Sequence, residues 1–528
     1  MSKRLFILLA ILTVSSYNVK SKDAFYPEPT FFTQDDDFFL HTIERGQTVY
    51  SIAIMYNVTV EDIYRLNPGS RKVIRAGEVL KIPQKSSSYI YHTIQPQETL
   101  YGLSQKFHMK GEDIIAANPG LSVKTFTIGK IIRIPTNLVT TPIQGGNEAA
   151  NSSRTNSLLT QTYPSNEVDN IKIALFLPFG TKDAAVQKTV QNQVVEYYEG
   201  FLLALEDLKK ERISVHVRPY DTGTGVKELQ DSLKKKEMKD IDLLIGGLSD
   251  EQIMLLSRFA KENNIPYVIP FAPLSNEPVN NPNVYQINTP QSYMYSKASL
   301  AFINKYGNNN NIIIVSDSSA FNKKEFTDLL KQDLQDRNIA YKSVSFGSNF
   351  YNDITASLNR NQTNVIVPSD DSAETLSKII PLLESIADSQ PDLSLALFGY
   401  SRWQSLSAKY SSDFFRLNTT FFTLFYADPT SQDVKDFNST FYKWYTRVLD
   451  NSSFPKFGIL GYDMGMYFIR LIHTYGSPFY SHINDLKYNG LQTDFYFERL
   501  NNWGGFINTN MYLISYNSDY SITKNLVK

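Results

Sequence analysis

Cysteine is absent from the 528 residues. Its absence excludes disulfides, thiolate metal sites, iron–sulfur clusters, a cysteine nucleophile and a lipid-bearing cysteine. An excess of one charge sign is also missing: 52 Lys and Arg face 53 Asp and Glu, a net charge of −1. A dedicated nucleic-acid binder would carry a basic stripe, so that class is excluded. The six histidines, at 41, 92, 108, 216, 473 and 482, are scattered. None falls in a His-Glu-x-x-His pattern, which argues against a zinc hydrolase. No Gly-x-Ser-x-Gly elbow and no phosphate-cradling Gly-x-x-x-x-Gly-Lys-Ser/Thr loop occurs. Ser232-Leu233-Lys234-Lys235 matches Ser-x-x-Lys, but it lies on a charged helical face without companion motifs. The sequence therefore predicts no enzyme, no cofactor and no metal.

Long hydrophobic runs are lacking too. Leu5–Val14, apolar apart from Thr13, falls short of the ~20 residues that span a bilayer. Lys3 and Arg4 precede it, and Ser15, Ser16 and Ser21 follow. That three-part pattern predicts an export signal over residues 1–21, with cleavage near Ser16 or Ser21. The expected location is the periplasm or cell envelope, with no membrane span in the mature chain. What is present is globular: 42% hydrophobic residues, with 33 Tyr and 33 Phe. At about 100–200 residues per domain, the length predicts three or four units.

A repeat emerges near the N-terminus. His41-Thr42-Ile43 recurs as His92-Thr93-Ile94, Glu61-Asp62-Ile63 as Glu112-Asp113-Ile114, and Asn67-Pro68-Gly69 as Asn118-Pro119-Gly120, all at an offset of 51. Over 41–69 and 92–120, 11 of 29 positions are identical. Each copy predicts strand, helix, helix, strand. Thr48 and Thr99 stand where a hydroxyl caps the first helix. The second helix stops at Asn-Pro-Gly.

These copies resemble LysM, the lysin-motif module that binds N-acetylglucosamine polymers such as peptidoglycan, over 39–83 and 89–135. In that family the sugar lies in a shallow groove between the loop after the first strand and the loop after the second helix. The resemblance implies glycan contacts at Gly46, Gln47, Thr48, Val49, Asn67, Pro68, Gly69 and Ile74. In the second copy it implies Gln97, Glu98, Thr99, Leu100, Asn118, Pro119 and Gly120. The family often has Gly-Asp-Thr in the first loop. The second copy has Gln97-Glu98-Thr99 and so lacks the glycine, the residue that adopts positive φ freely.

Residues 136–170 are polar and rich in Gly, Ser, Asn and Thr, and predict a flexible linker. From 171 to 528 strands and helices alternate, which predicts α/β lobes with parallel sheets. Ile171–Pro178, Gly200-Phe201-Leu202-Leu203-Ala204-Leu205, Ile245-Gly246-Gly247-Leu248-Ser249 and Gly461-Tyr462-Asp463 carry a second resemblance. It is to the type I periplasmic-binding-protein fold, specifically its branched-chain amino-acid receptor group. In that family the ligand sits between two lobes, at the C-terminal ends of strands. The corresponding candidates are Ser249, Ala272 and Ser275 in the first lobe and Asp317, Asp370, Tyr400 and Trp403 in the second. Ser249 or Ser275 would hold a carboxylate, Asp317 or Asp370 an ammonium, and Tyr400 or Trp403 would cover the ligand.

The expected protein is a non-enzymatic envelope protein that holds peptidoglycan through two LysM modules. Its two-lobed domain would bind a small amino-acid-like solute as a receptor. The alternative is a regulator, contacting a cell-wall synthase or hydrolase.

Overall fold

The computed structural model describes residues 37–44, 47–71, 74–86, 88–136, 148–161, 165–180, 188–272, 274–316, 322–450 and 453–527. The expected export signal and two candidate site residues, Gly46 and Asp317, lie outside them. Among the described residues no helix is long and apolar enough to cross a membrane.

Each repeat folds as β-α-α-β. In module 1, strands Phe38–Thr42 and Val79–Pro83 pair antiparallel around helices Val49–Tyr56 and Val60–Leu66. In module 2, strands Tyr89–Thr93 and Ile131–Pro135 enclose helices Leu100–Lys106 and Gly111–Ala117. The Thr48 and Thr99 hydroxyls accept from the N–H groups of Ser51 and Gly102, as the capping pattern predicts. A module of this size has little core of its own. Tyr91 and Ile131 of module 2 enter the core of module 1, while module 2 keeps a second cluster around Leu100, Ile114 and Ile132. Phe39 stacks on Tyr91 at 5.1 Å, and Tyr56 meets both rings edge-on. The Gln84 side chain pairs with both backbone groups of Tyr91, and the Thr93 hydroxyl donates to Leu40 O.

The polar segment after module 2 is not structureless where it is described. Glu148–Ser157 is a helix, followed by a short 3-10 turn at Leu158–Thr160. Its composition lacks an apolar stripe, so periodicity gives no sign of it. Contacts with module 2 hold it instead: Asn156 accepts from Tyr101 N–H, and Leu158 and Leu159 pack against the module's core.

The body has two lobes, each built on a seven-stranded sheet. Lobe 1 runs, edge to edge, Phe497–Arg499, Phe506–Asn508, Val284–Gln286, Tyr267–Ile269, Leu243–Gly246, Asn170–Leu177 and Ser214–Asp221. Lobe 2 runs Tyr341–Ser345, Asn310–Ser316, Thr363–Pro368, Leu395–Tyr400, Thr420–Thr423, Tyr512–Tyr516 and Ile522–Leu526. All pairings are parallel except the 497–508 hairpin and those made by the 512–516 strand. The strand–helix alternation predicts the parallel part, since such connections need crossover helices.

Two long helices, Lys188–Lys210 and Phe457–Tyr475, pack backbone to backbone. A Cβ on Gly200 would overlap the Gly458 carbonyl, and one on Gly461 would overlap the Tyr197 carbonyl. This close approach gives the Gly200 and Gly461 motifs a packing role.

Candidate functional site

In module 1 the two expected sugar loops separate into buttress and rim. Gln47 Oε1 accepts from the Glu44 N–H at 2.8 Å and from His41 Nε2 at 2.7 Å. His41 in turn accepts the Tyr56 hydroxyl at Nδ1, 2.8 Å away, and burial holds its pKa below the ordinary value. A neutral imidazole thus braces the first loop from beneath. Thr48 caps the helix and Val49 is buried under it. Asn67 is committed on both sides: it donates to Ile63 O and Lys81 O, and accepts from Lys81 N–H. It fastens the helix end to the closing strand, so a sugar-contacting role for its amide is replaced by a structural one. Pro68 and Gly69 are exposed, and a Cβ on Gly69 would meet nothing within 4 Å. Ile74 is half-buried against the module core. The free rim is therefore Pro68–Gly69, while the other expected loop is stiffened by His41 and Gln47.

Module 2 repeats the buttress with a charge. Glu98 accepts from His92 Nε2 at 2.6 Å and from the Gln95 N–H at 2.8 Å. Burial pushes the Glu98 carboxyl up, but hydrogen bonds from His92 and Gln95 outweigh this and leave it below the usual range. Asn118 is fully buried and repeats the Asn67 clamp, donating to Ile114 O and Arg133 O and accepting from Arg133 N–H. Leu100 is core, Thr99 is the cap, and Pro119 is exposed. Gly120 does not face open solvent. Its N–H donates to Asn502 O at 2.7 Å, and a Cβ there would strike Arg499. The second loop of module 2 is thus docked on the body.

Gln97, at the position of the missing glycine, adopts φ 68. The turn is left-handed there, at a cost of about 1–2 kcal/mol for an L-residue. Gln97→Gly is therefore expected to stabilise module 2 by about 1 kcal/mol, read by denaturant unfolding. An unchanged or lowered midpoint would count against that strain.

The docking is built on one hairpin of lobe 1. Trp503, at its tip, lies 5.6 Å from Tyr91 and 6.1 Å from Tyr56. The Arg133 guanidinium of module 2 sits 4.4 Å over the Trp503 ring and 4.9 Å over Tyr89, and donates to Asn280 Oδ1 at 2.6 Å. Asn502 donates to Ile131 O, and Asn280 to Ile54 O. The sequence does not signal this junction, because its partners lie hundreds of positions apart.

In the body, Ser249 caps helix Asp250–Asn263, Ala272 O accepts from Gln286, and Ser275 accepts from the Glu277 N–H. Asp370 is nearly buried; Ser372 and Thr375 donate to it. Burial raises its pKa, but those bonds bring the net value below the usual range. Tyr400 and Trp403 are wholly buried, so neither covers a ligand. The Tyr400 hydroxyl donates to Pro368 O, and the Trp403 ring packs on Gly399 and Phe414. At the same strand ends Lys323 pairs with Asp371 at 3.1 Å and donates to Gln291 Oε1 at 2.8 Å.

Residues 41–83 and 92–135 match the LysM domain, and residues 198–454 match the receptor family ligand binding region. The chain carries two LysM modules followed by a receptor-type α/β body. Among curated proteins it is similar to the putative sporulation-specific glycosylase YdhD of Bacillus subtilis, 34% identical over 97 residues. That match covers 18% of this chain and 22% of the relative, so the chain spans about a fifth of that protein's length. Among solved structures it is similar to a putative branched-chain amino acid ABC transporter of Rhodospirillum rubrum, with 13% identity and a TM-score of 0.46. That alignment covers 68% of this chain and 100% of the other. An ABC transporter substrate-binding protein of Desulfitobacterium hafniense in complex with Leu gives 12% identity, a TM-score of 0.41 and coverage of 67% and 99%.

Proposed function

We propose that this chain is a non-enzymatic, extracytoplasmic wall-binding protein whose module 1 grips an N-acetylglucosamine-containing glycan. The observation that carries the reading is the LysM match over both repeats together with the open Pro68–Gly69 rim of the first. Backbone groups there can reach acetamido and hydroxyl groups. In this reading the braced Gln47–Val49 loop supplies the second sugar contact that the LysM resemblance implies. Module 2 contributes less sugar surface, because Gly120 is committed to the body. Gly69→Arg places a long side chain on the rim without touching the fold. It is expected to weaken binding to chitotetraose about tenfold with unchanged melting, since shallow sites depend on few contacts. Calorimetry checks this, alongside cosedimentation with purified sacculi. Wild-type protein that neither sediments nor releases heat would overturn the reading.

A second reading of the body is favoured by a specific observation. The strand-end positions where the fold family holds solute carry Tyr400 and Trp403 in the core and the Lys323–Asp371 pair reaching Gln291. Side chains of the protein itself occupy that neighbourhood, which suits contact with a wall synthase or hydrolase better than capture of an amino acid. Titration with the common amino acids, leucine included, is expected to give no heat. A saturable signal from any of them would restore the solute-receptor role.

A further inference from the structure

Between the two modules and the 497–508 hairpin runs a cleft of about 250 Å³. Three parts of the chain wall it: Glu44 and Gln47 on module 1, Lys130 on module 2, and Arg499, Asn502 and Trp503 on the hairpin. Its charges do not balance. Arg499 is half-buried, donates from Nη1 to Gly504 O at 2.5 Å, and lies 4.2 Å over the Phe506 ring. Trp503 is 2% exposed, and its Nε1–H has no acceptor. Behind Trp503 lies Arg133, 8% exposed, with its Nε also unpaired. Burial pulls the pKa of both arginines down. Among the described residues neither guanidinium has a carboxylate partner, and the cleft's one acid, Glu44, is already paired with Lys130. Withdrawing cations and a donor from water without a counter-charge is unfavourable, and an anion at this place would relieve it.

We propose that the junction cleft binds a carboxylate carried by the wall glycan, with Arg499 as the principal partner and Trp503 Nε1 and Lys130 as supporting donors. This rests on the glycan reading of module 1, from which a strand could extend into the cleft. A planar carboxylate suits the forked guanidinium better than a sulfate or a neutral hydroxyl does. Two sources carry this group: the lactyl acid of an unsubstituted muramic acid, and the free carboxylate of a stem peptide.

The full-length protein would be titrated with chitotetraose, with a peptide-free N-acetylglucosamine–N-acetylmuramic acid tetrasaccharide, and with the same sugar bearing a stem peptide. At least one acidic probe is expected to bind about tenfold tighter than chitotetraose. Which probe gains identifies the source. Arg499→Gln should erase that gain, and Lys130→Gln, on an exposed side chain, should reduce it while melting is unchanged. Arg499→Lys should retain part of it. Chitotetraose affinity should stay constant throughout. Equal affinity of all three sugars in wild-type protein would overturn the cleft and leave the module reading intact. Binding of the acidic probes alone, lost in Arg499→Gln, would keep the cleft and overturn the module reading. Silence from all three would overturn both.

Discussion

Asp463→Ala should destabilise the body by about 3–5 kcal/mol, because it removes the sole acceptor group for four donors in a closed interior. Asp463 is wholly buried on helix Phe457–Tyr475. Oδ1 accepts from Tyr488 Oη at 2.9 Å and Leu491 N–H at 2.8 Å. Oδ2 accepts from the N–H groups of Gln492 at 2.9 Å and Thr493 at 3.3 Å. Gln492 then pairs with the backbone of Lys456 in both directions, and its carbonyl accepts from Tyr426 N–H. One carboxylate therefore organises the 488–493 segment against the helix that packs on Lys188–Lys210. Guanidinium unfolding reads the loss, and a change below 1 kcal/mol would refute the clamp.

The same residue gives a pH signature. Burial pushes the Asp463 carboxyl up to about 6, against the opposing pull of its hydrogen bonds. The folded state then holds more protons than the unfolded state between about pH 4 and pH 6. Stability from this group is complete below the unfolded value and declines as pH rises through 6, by about 3 kcal/mol in all. Asp463→Asn abolishes that slope. It also leaves at least one of the backbone N–H groups facing an amide donor. The difference in stability between wild type and Asp463→Asn should consequently be larger at pH 4 than at pH 7. Parallel pH profiles would exclude Asp463 as the titrating group.

Trp503→Ala should release the LysM pair from lobe 1. The indole is the body's insertion into the core of module 1, touching Tyr56, Tyr91 of module 2 and the Arg133 guanidinium. Truncating a buried tryptophan costs about 3–5 kcal/mol. Here the loss falls on an interface, since Trp503 lies at a hairpin tip outside the main core of the body. The remaining ties among the described residues are four hydrogen bonds, Gly120 N–H to Asn502 O, Asn502 to Ile131 O, Arg133 to Asn280 and Asn280 to Ile54 O, with the smaller apolar contacts of Val279 and Leu500. Calorimetric melting should split into two transitions, and the radius of gyration in solution should rise. One cooperative transition at an unchanged radius would mean that Trp503 is not what holds the modules.

Much of the architecture is legible in the residues alone, because its signals are local. Ile171–Pro178 reads as a buried strand from its apolar run, and the fold places that strand at Asn170–Leu177. Thr48 and Thr99 are visible as caps because a hydroxyl before an apolar helix has a local use. Short strands such as Thr420–Thr423 and Ile522–Leu526 lack a period of their own and form through neighbours in the sheet. In the candidate site, Asn67 and Asn118 stand out through the repeat. Their amides serve the closing strand, and nothing in a linear pattern distinguishes an amide that meets sugar from one that meets Lys81 or Arg133. Tyr400 and Trp403 likewise stand at strand ends in the sequence, yet the sheet carries both into the interior.

Residue order alone carries the two β-α-α-β modules, their family resemblance, the alternating strand–helix body and the lack of a catalytic motif. All of these depend on spacing and residue type within a few dozen positions. Folding in three dimensions adds what no local pattern carries: Tyr91 of module 2 in the core of module 1, the Glu148–Ser157 helix packed on module 2, and Gly120 docked on Asn502. The same folding sets Arg499 and Trp503 in the wall of one cleft, with Arg133 stacked behind the indole. Those residues lie up to 370 positions apart, and their charges acquire meaning only once burial removes water from around them.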